Sequence, residues 1–413
     1  MIMSAACTVA GVLLLAPRGV GAAGPGCTDD LDCSLNGVCS PSTAVCVCDR
    51  PWAGASCGRL LFKAVSFPQG YGMAPNLTAW GGGAIRNPKD GRYHAFIHTV
   101  AHGCPLACGD NSRIEHAVSD NVTGPYAFSD VAVPMDARNS APVVLPDGTF
   151  AIFHIHTGVP SPNSGAVCAP DNAPPFDTIG AQLRSRLPFR CPSTATPAAA
   201  ARSSSAGSSI HTSASLAGPW LPVVPNTLPA CGNPAPHVLD NGTIFIVCQH
   251  TEFYRAESVH GPWTLVTSLT NVTDGAGGGV PGKYEDPFLW RDRRSNWHIM
   301  YHVYNTDDGK HGGPGACANA TVSGHLFSRD GRTWRPSAVG PYTARVALTG
   351  GREVTVSTRE RPNIFFDAAG QMTHLFNAVC SATGDDCAAS TGTGCVDRKY
   401  EAWDYNLVAP LDV

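Results

Sequence analysis

Two stretches of the chain, Pro142-Val-Val-Leu-Pro-Asp-Gly-Thr-Phe150 and Pro236-His-Val-Leu-Asp-Asn-Gly-Thr-Ile244, share one pattern. Each begins with a proline, continues through a short apolar run and reaches an Asp-Gly or Asn-Gly pair before the next apolar run. Asp-Gly and Asn-Gly between strand-like segments are the strongest short signal for a β-hairpin. The two stretches therefore predict hairpins of a repeated antiparallel unit.

The pattern recurs at Pro287 and Pro362, and a weaker copy has Ile85 in the proline position. Repeats of about fifty residues with three or four antiparallel strands each are typical of propeller blades. Five copies predict an all-β fold with a five-bladed β-propeller over 62–413, and a low-complexity loop insertion at about 160–207. A β-sandwich remains the alternative, because hairpin signals alone do not separate the two architectures.

The composition excludes several classes of protein. The chain has 28 Lys+Arg and 32 Asp+Glu, a net charge of −4 and no basic cluster, so no nucleic-acid partner is expected. Hydrophobic residues make up 43% of the chain, which is enough for a large core.

The first residues are typical of a secretory signal. An apolar run from Ala5 to Ala16 precedes the small residues Gly21 and Ala22, which predicts a cleaved signal over 1–23. The run is shorter than the roughly 20 residues that span a bilayer, so no membrane span is expected. Beyond Cys7, an even number of cysteines remains, which suits a secreted, extracellular protein. Glycosylation is expected at the Asn-x-Ser/Thr sites Asn76, Asn121, Asn241, Asn271 and Asn319.

Six cysteines with the spacing C-x5-C-x5-C-x6-C-x-C-x8-C lie between Cys27 and Cys57. This segment, 27–58, resembles an EGF-like domain without calcium ligands. The resemblance implies the pairs Cys27–Cys39, Cys33–Cys46 and Cys48–Cys57, and a surface for an extracellular protein partner. A zinc site is the competing interpretation, although the segment contains no histidine. Among the other cysteines, proximity favours the pairs Cys104–Cys108 and Cys168–Cys191, and a pair among Cys380, Cys387 and Cys395.

The alignment of the repeats on their prolines selects the residues that face the central funnel. Two places before the proline position stand Gly83, Ser140, Pro234, Glu285 and Glu360. One place before it stand Ala84, Ala141, Ala235, Asp286 and Arg361. Charged side chains thus cluster in the fourth and fifth blades. For a ring radius of roughly 6 to 8 Å, Glu285 and Glu360 are expected about 7 to 9 Å apart, the spacing of an inverting glycosidase.

The segment Tyr284-Glu285-Asp286-Pro287-Phe-Leu-Trp290 resembles the strand that carries the general acid in glycoside hydrolase family 43. The resemblance implies an inverting glycosidase that acts on arabinose, xylose or galactose polymers, with Glu285 as the acid. The family's other two catalytic positions read Gly82-Gly83 and Asn233-Pro234 here, so neither carries the family's aspartate. Glu360 is therefore the candidate for the residue that holds the attacking water.

Further candidates complete the predicted site. Asp286 is a third candidate catalytic carboxylate, although neighbours in a regular strand face opposite sides. Phe288 and Trp290 are expected to form apolar walls beside Glu285. The candidates for sugar binding are Arg361, His302, His250, Trp290 and Asn233. No metal and no cofactor are expected, although recurring histidines at His98, His156, His250 and His302 also suit a ring of hydroxyl donors or a metal site.

A second functional interpretation is a non-catalytic propeller that binds glycans or proteins, with the EGF-like module as its adhesive partner. The missing first-blade carboxylate favours it, whereas the pair Glu285 and Glu360 favours the enzyme. A sialidase is the weaker alternative, because Ser328-Arg-Asp330-Gly331-Arg-Thr333-Trp334 is one residue short of that family's Asp-box turn. The enzyme predicts a carbohydrate substrate, and the non-catalytic propeller predicts a glycan or a protein ligand.

Overall fold

A computed structural model describes residues 26–66, 69–73, 77–101, 106, 111–160, 207–224, 226–249, 251–272, 284–303, 322–356, 358–380 and 404–413 of the chain. The predicted signal and most of the predicted insertion lie outside these residues, as do Cys104, Cys108, Cys168, Cys191, Cys387 and Cys395. Among the described residues, no helix is long and apolar enough to cross a membrane.

The described part of the chain is built almost entirely from antiparallel strands, with short 3-10 helices at Asp30–Cys33 and Leu269–Asn271. The N-terminal module contains β1 (Gly37–Ser40), β2 (Val45–Cys48), β3 (Trp52–Ala53) and β4 (Arg59–Leu60). Blade 1 contains β5 (Thr78–Arg86), β6 (Tyr93–Val100), β7 (Ser112–Ser119) and β8 (Ala127–Val133). Blade 2 contains β9 (Arg138–Val144), β10 (Phe150–Ile155), β11 (Ser208–Ser213) and β12 (Leu221–Pro222). Blade 3 contains β13 (Ala235–Val238), β14 (Ile244–Val247), β15 (Glu252–Ala256) and β16 (Thr264–Ser268).

The fourth and fifth blades follow the same plan. Blade 4 contains β17 (Tyr284–Arg291), β18 (Trp297–Val303), β19 (Ser323–Ser328) and β20 (Arg335–Pro336). A separate hairpin contains β21 (Arg345–Ala347) and β22 (Glu353–Thr355). Blade 5 contains β23 (Thr358–Phe366), β24 (Met372–Cys380) and β25 (Asp404–Pro410). Strands are hydrogen-bonded in sequence order within every blade. The predicted five-bladed β-propeller is confirmed, and the sandwich alternative is wrong.

Aromatic side chains fill the space between blades. Trp297 of blade 4 packs against Phe245 and Phe253 of blade 3, with ring centroids 4.6 and 5.7 Å apart. Between blades 2 and 3, Phe153 meets Trp263 edge to face at 6.3 Å. These rings come from strands whose alternate residues point into adjacent blades, which is why each repeat needs a neighbour to bury its apolar face.

Both ends of the described chain meet in blade 5. The strand β25 pairs with β24, and the segment before blade 1 runs along the free edge of β25 through bridges at Phe62–Leu411 and Tyr71–Asn406. The strand β25 completes blade 5 and also contacts blade 1, where Gly81 N donates to Asn406 Oδ1 at 2.8 Å. Residues that precede blade 1 add further closing contacts to blade 5.

Substitution of a glycine at this closure is expected to lower the free energy of unfolding strongly. Gly70 has φ +87°, and a Cβ there would lie 1.7 Å from the backbone oxygen of Asn406. Gly91 has φ +74° in open space and is a matched control for the backbone strain alone. We expect Gly91→Ala to cost about 1 kcal/mol of unfolding free energy and Gly70→Ala at least about 3 kcal/mol. Urea unfolding measures both, and equal losses would contradict the closing contact.

The N-terminal module is held by disulfides and docks on blades 4 and 5. Its bonds link Cys27 to Cys39, Cys33 to Cys46 and Cys48 to Cys57, the pairing that the EGF-like resemblance implies. Arg294, in the β17–β18 hairpin, pairs with Asp49 at 2.5 Å and donates to the carbonyl of Leu35 at 2.8 Å. Trp52 lies 5.3 Å from the ring of His325. The module therefore sits on the side of the propeller where the hairpins of the first strands lie.

Candidate functional site

The five blades share one backbone feature near the start of their first strands. A residue there adopts left-handed backbone, with φ between 46° and 82°. The five equivalent positions, in blade order, are Gly81, Asn139, Asn233, Asp286 and Arg361. In blades 1, 4 and 5 the pairing with the second strand shifts at this point, which marks a β-bulge. These bulge residues, rather than the prolines, set the register of the blades.

The proline-based alignment is wrong for blades 1 to 3. In blades 2 to 5 a backbone hydrogen bond closes the first hairpin, and its donor is the residue six places after the bulge residue. Leu145 N donates to Thr149 O in blade 2, and Asp292 N donates to Asn296 O in blade 4. Pro142 therefore lies within its strand, whereas Pro287 directly follows its bulge residue. The residues equivalent to Glu285 are Trp80, Arg138, Gly232 and Glu360. The expected funnel positions Gly83, Ser140, Pro234, Ala84, Ala141 and Ala235 are displaced by two or three residues.

Two glutamates of adjacent blades converge on one histidine. His302 Nδ1 lies 3.4 Å from Glu285 Oε2, and His302 Nε2 lies 4.0 Å from Glu360 Oε1. The side chains of Glu285 and Glu360 are only 14% and 8% exposed. Ligand atoms of Glu285, Asp286, His302 and Glu360 lie within 4.8 Å of one another. An oxygen of Glu285 and an oxygen of Glu360 therefore approach more closely than the expected 7 to 9 Å, because both side chains reach inward to the same imidazole.

The environment raises the pKa of both Glu360 and His302. Burial raises the pKa of Glu360 to about 8, with the neighbouring carboxylates Glu285 and Asp286 acting in the same direction. Burial alone lowers the pKa of His302, but the carboxylates of Glu360 and Glu285 outweigh it and raise that pKa to about 9. Because the charge of each group affects the proton affinity of the other, Glu360 and His302 titrate as a coupled pair.

Asp286 joins the cluster because its backbone is not that of a regular strand. At φ 50° its side chain turns toward Arg361, whose Nη1 lies 2.9 Å from Asp286 Oδ1. Burial raises the pKa of Asp286 to about 6, even though the Arg361 guanidinium acts to lower it. The stem of Arg361 occupies the space beside Gly81, where a Cβ would lie 2.3 Å from Arg361 Cδ. Arg361 is therefore held by the protein in this structure.

Three amide side chains extend the site into blades 2 and 3. Asn233 Nδ2 donates to Asp286 Oδ1 at 2.5 Å and to Gln249 Oε1 at 2.6 Å. Gln249 Nε2 donates to Glu285 Oε1 at 3.2 Å, and Asn139 Nδ2 donates to Asn233 Oδ1. Gln249 and Asn139 are absent from the residues selected from sequence. The motif Asn-x-Ala-Pro, present at Asn139 and again at Asn233, is the signal that aligns blades 2 and 3 correctly.

A disulfide that proximity did not predict supports these amides. Cys231 and Cys248 are bonded and buried, with exposures of 1% and 0%. Cys231 lies two residues before Asn233, and Cys248 directly precedes Gln249. The bond therefore links the two chain segments that position the hydrogen-bond partners of Glu285 and Asp286. Cys380 is also disulfide-bonded.

The expected ring of histidines is not formed by the described residues. His98 occupies the place in blade 1 that His302 has in blade 4, but its ring lies between the Trp80 carbonyl and Ser112 Oγ, at 3.2 and 3.0 Å. His156 lies one residue beyond that place and contacts Asp136 Oδ1 at 2.6 Å. His250 lies outside the described residues.

The apolar walls expected beside Glu285 lie elsewhere. Trp290 is 3% exposed and stacks on His298 with ring centroids 4.9 Å apart. It stands five residues after Glu285, roughly 15 Å farther along the strand. Phe288 packs against Trp290, at 5.9 Å, and Phe366. Both rings belong to the core that the N-terminal module covers.

A cavity of about 1290 Å³ occupies the channel on the module's side of the bulge residues. Asn139, Asn233, Asp286 and Arg361 line it, and Glu285, His302 and Glu360 do not. The bulge residues therefore form a polar layer between this cavity and the glutamate pair. The carboxylates and His302 are also close enough to surround a cation. Arg361 and protonated His302 already neutralise them, so we treat the cluster as an ion-paired acid–base group.

Three of the five predicted glycosylation sites lie within the described residues. Asn121 and Asn241 lie exposed in turns, and Asn271 lies in a 3-10 helix. Asn76 and Asn319 fall outside the described residues.

Comparison with known proteins gives likeness at the level of fold. No family model and no curated protein sequence matches the chain. An endo-arabinase from Bacteroides thetaiotaomicron VPI-5482 is 12% identical over 81% of this chain and 95% of its own, with a TM-score of 0.45. Zg3597, a family 117 glycoside hydrolase from Zobellia galactanivorans, is 11% identical over 86% and 89%, with a TM-score of 0.43. CoXyl43, a GH43 β-xylosidase/α-arabinofuranosidase from a compost metagenome, is 12% identical over 85% and 96%, with a TM-score of 0.45. These solved structures are glycoside hydrolases, and at such identities the likeness concerns the shape of the chain alone.

Proposed function

We propose that this protein is a secreted glycosidase that hydrolyses O-glycosyl bonds of a polysaccharide or of glycoprotein glycans, with Glu285 and Glu360 as its carboxylate pair. The observation that carries the proposal is the pair itself: two largely buried glutamates flank one imidazole, at 3.4 and 4.0 Å, in different environments. Acid–base catalysis by glycosidases depends on two carboxyl groups whose different surroundings give them different pKa values.

The environments favour Glu360 as the general acid and Glu285 as its ionised partner, which reverses the roles favoured by the sequence alone. Glu360 has a pKa of about 8 and carries a proton at neutral pH. Glu285 receives a hydrogen bond from Gln249 and contacts His302, and both interactions stabilise a carboxylate. The reaction requires that one carboxyl group is protonated and the other is ionised at the same pH.

The short spacing favours hydrolysis with retention of configuration. Retaining enzymes hold their carboxyl groups about 5 to 5.5 Å apart, whereas inverting enzymes need about 6.5 to 9.5 Å to admit a water. In the proposed first step Glu285 bonds to the anomeric carbon while Glu360 gives its proton to the departing oxygen. In the second step Glu360 takes a proton from water, the water oxygen bonds to the anomeric carbon, and the bond to Glu285 breaks.

The test is release of reducing sugar from arabinans, xylans, galactans and uronate-bearing polymers by the purified protein. The anomer released first from a cleaved substrate, followed by NMR, decides between retention and inversion. If the protein binds one of these glycans but cleaves none, the lectin-like function replaces the glycosidase. That function is favoured by Gly81, which places no side chain at the blade-1 bulge position.

Secretion gives a second test within the same proposal. Asn121 and Asn241 are exposed, so a glycan attached to either side chain can extend into solvent from the folded protein. We expect protein secreted from a eukaryotic host to lose mass on treatment with peptide N-glycosidase, and the double variant Asn121→Gln/Asn241→Gln to lose less. An unchanged loss in the double variant would assign the glycans to other sites.

A further inference from the structure

The amides that connect blade 2 to Glu285 form a chain of hydrogen bonds with one direction. Asn139 donates to Asn233, Asn233 donates to Gln249, and Gln249 donates to Glu285. Asn233 also donates to Asp286 Oδ1 at 2.5 Å. The chain crosses three blades, and it ends on one oxygen of the glutamate pair.

The direction of this chain is determined by the acceptors at its ends. A carboxylate only accepts, so Asn233 must turn Nδ2 toward Asp286, which leaves Oδ1 facing Asn139. Gln249 must likewise turn Nε2 toward Glu285, and its Oε1 then accepts from Asn233. Each amide has one orientation in which every contact is a donor–acceptor pair. If Asn233 is reversed, its Oδ1 faces Asp286, and if Gln249 is reversed, its Oε1 faces Glu285, so each reversal is favourable only when that carboxyl group carries a proton.

We propose that Asn139 is a positioning residue that controls whether Glu285 is held as a carboxylate, through the amides of Asn233 and Gln249. Its donation to Asn233 Oδ1 keeps the chain in the orientation in which Gln249 donates to Glu285. Asn139 suits this place because its backbone is left-handed at φ 55°, a conformation that Asn adopts more readily than most residues. Its role in turnover rests on the proposed glycosidase function, but its effect on the proton affinity of Glu285 does not.

The substitution Asn139→Asp reverses the chain without changing its shape. The ionised carboxylate that it introduces cannot donate to Asn233 Oδ1. If Asn233 turns its Nδ2 toward that carboxylate, Gln249 turns its Nε2 toward Asn233, and Asn233 Oδ1 then faces Asp286, which must carry a proton. Gln249 Oε1 then faces Glu285 Oε1, and that contact is favourable only when Glu285 carries a proton. Besides Asp286, which loses the bond from Asn233 on this reversal, the charged groups that face Glu285 are unchanged: His302 on β18, and Glu360 and Arg361 of blade 5.

The experiment follows the titration of Glu285 directly by carbon-13 NMR of protein labelled at the glutamate side-chain carboxyl. The chain contains only seven glutamates, and the signal of Glu285 is the one that Glu285→Gln removes. We expect Asn139→Asp to raise the midpoint of this signal by about one pH unit or more, and Asn139→Ala, which adds no acceptor, to shift it much less.

A double-mutant cycle separates the hydrogen-bond chain from the added charge. Gln249→Met removes the last amide, so Asn139→Asp in that background retains only the through-space effect of its charge. We expect the shift caused by Asn139→Asp to fall by at least half when Gln249 is replaced by Met. An equal shift in both backgrounds, or no shift in the first, would overturn the proposal. Because this readout needs no substrate, failure of the glycosidase assay leaves it intact. If the protein is active, the same variant moves the acidic limb of the kcat/KM profile upward.

Discussion

The variant Glu360→Gln is expected to lose at least two decades of kcat/KM on a polysaccharide, while kcat/KM for an aryl glycoside with a good leaving group is affected far less. The departing oxygen of a sugar needs a proton, whereas a nitrophenolate leaves without one, and acid catalysis contributes about 10²- to 10⁴-fold. Glu285→Gln is expected to lower both rates alike, because formation of the bond to the sugar precedes departure of either group.

The pH profile tests the same assignment. Activity requires protonated Glu360, whose pKa is about 8, so the wild-type rate should fall as the pH rises through about 8. This alkaline limb should be strong in kcat/KM for the polysaccharide and weak in kcat/KM for the aryl glycoside, whose leaving group needs no proton. Glu353→Gln is the matched control, because Glu353 is 54% exposed on β22 and pairs with Arg345 at the surface. If the aryl glycoside is spared by Glu285→Gln instead, the two roles are exchanged, and if both variants keep full activity the glycosidase proposal fails.

The second large effect is expected from Arg361→Met, measured as the free energy of unfolding in urea. Asp286 has a side chain that is 1% exposed and depends on Arg361 for its charged partner. Removing one member of a buried pair typically costs about 3–5 kcal/mol, because the remaining charge is left buried. Arg345→Met breaks an exposed pair with Glu353 and should cost less than about 1 kcal/mol.

The loss caused by Arg361→Met should depend on pH with a definite sign. Burial raises the pKa of Asp286 to about 6 while Arg361 acts to lower it, so removal of the guanidinium raises this pKa further. Below about pH 6 Asp286 then takes up a proton in the variant, and the loss of stability is smaller than at pH 8. The double variant Arg361→Met/Asp286→Leu should recover much of the loss at pH 8. A loss that does not change between pH 5 and pH 8 would assign the effect to packing alone.

Local sequence chemistry was sufficient to predict the repeat, the five blades and the convergence of Glu285 and Glu360. Asp-Gly and Asn-Gly turns and the cysteine spacing act over a few residues, so they can be read without the fold. The register at the bulge cannot be predicted from such local signals. Prolines occur at two different positions relative to the bulge residue, and only the backbone conformation shows which position each proline occupies. Asp286 enters the site through φ 50°, and no alternation rule for a regular strand allows it.

Gln249 was missed for a different reason. An amide has no titration or motif that distinguishes it in sequence, and its role depends on the register between β13 and β14 and on the neighbouring blade. Trp290 shows the converse error. It stands close to Glu285 in sequence, but the length of the strand carries its ring into the core beneath the N-terminal module.

The pairing of the earliest and latest parts of the chain in blade 5 has a consequence for synthesis. Within blades 1 to 4 every described strand pairs with a neighbour in sequence, so each sheet can form as it emerges from the ribosome. Blade 5 needs Phe62 and Tyr71 to meet Leu411 and Asn406, which follow blade 4 in the chain. The ring therefore stays open until β25 has been synthesised, and a chain that lacks 404–413 exposes the unpaired edge of β24 as a site for misassembly.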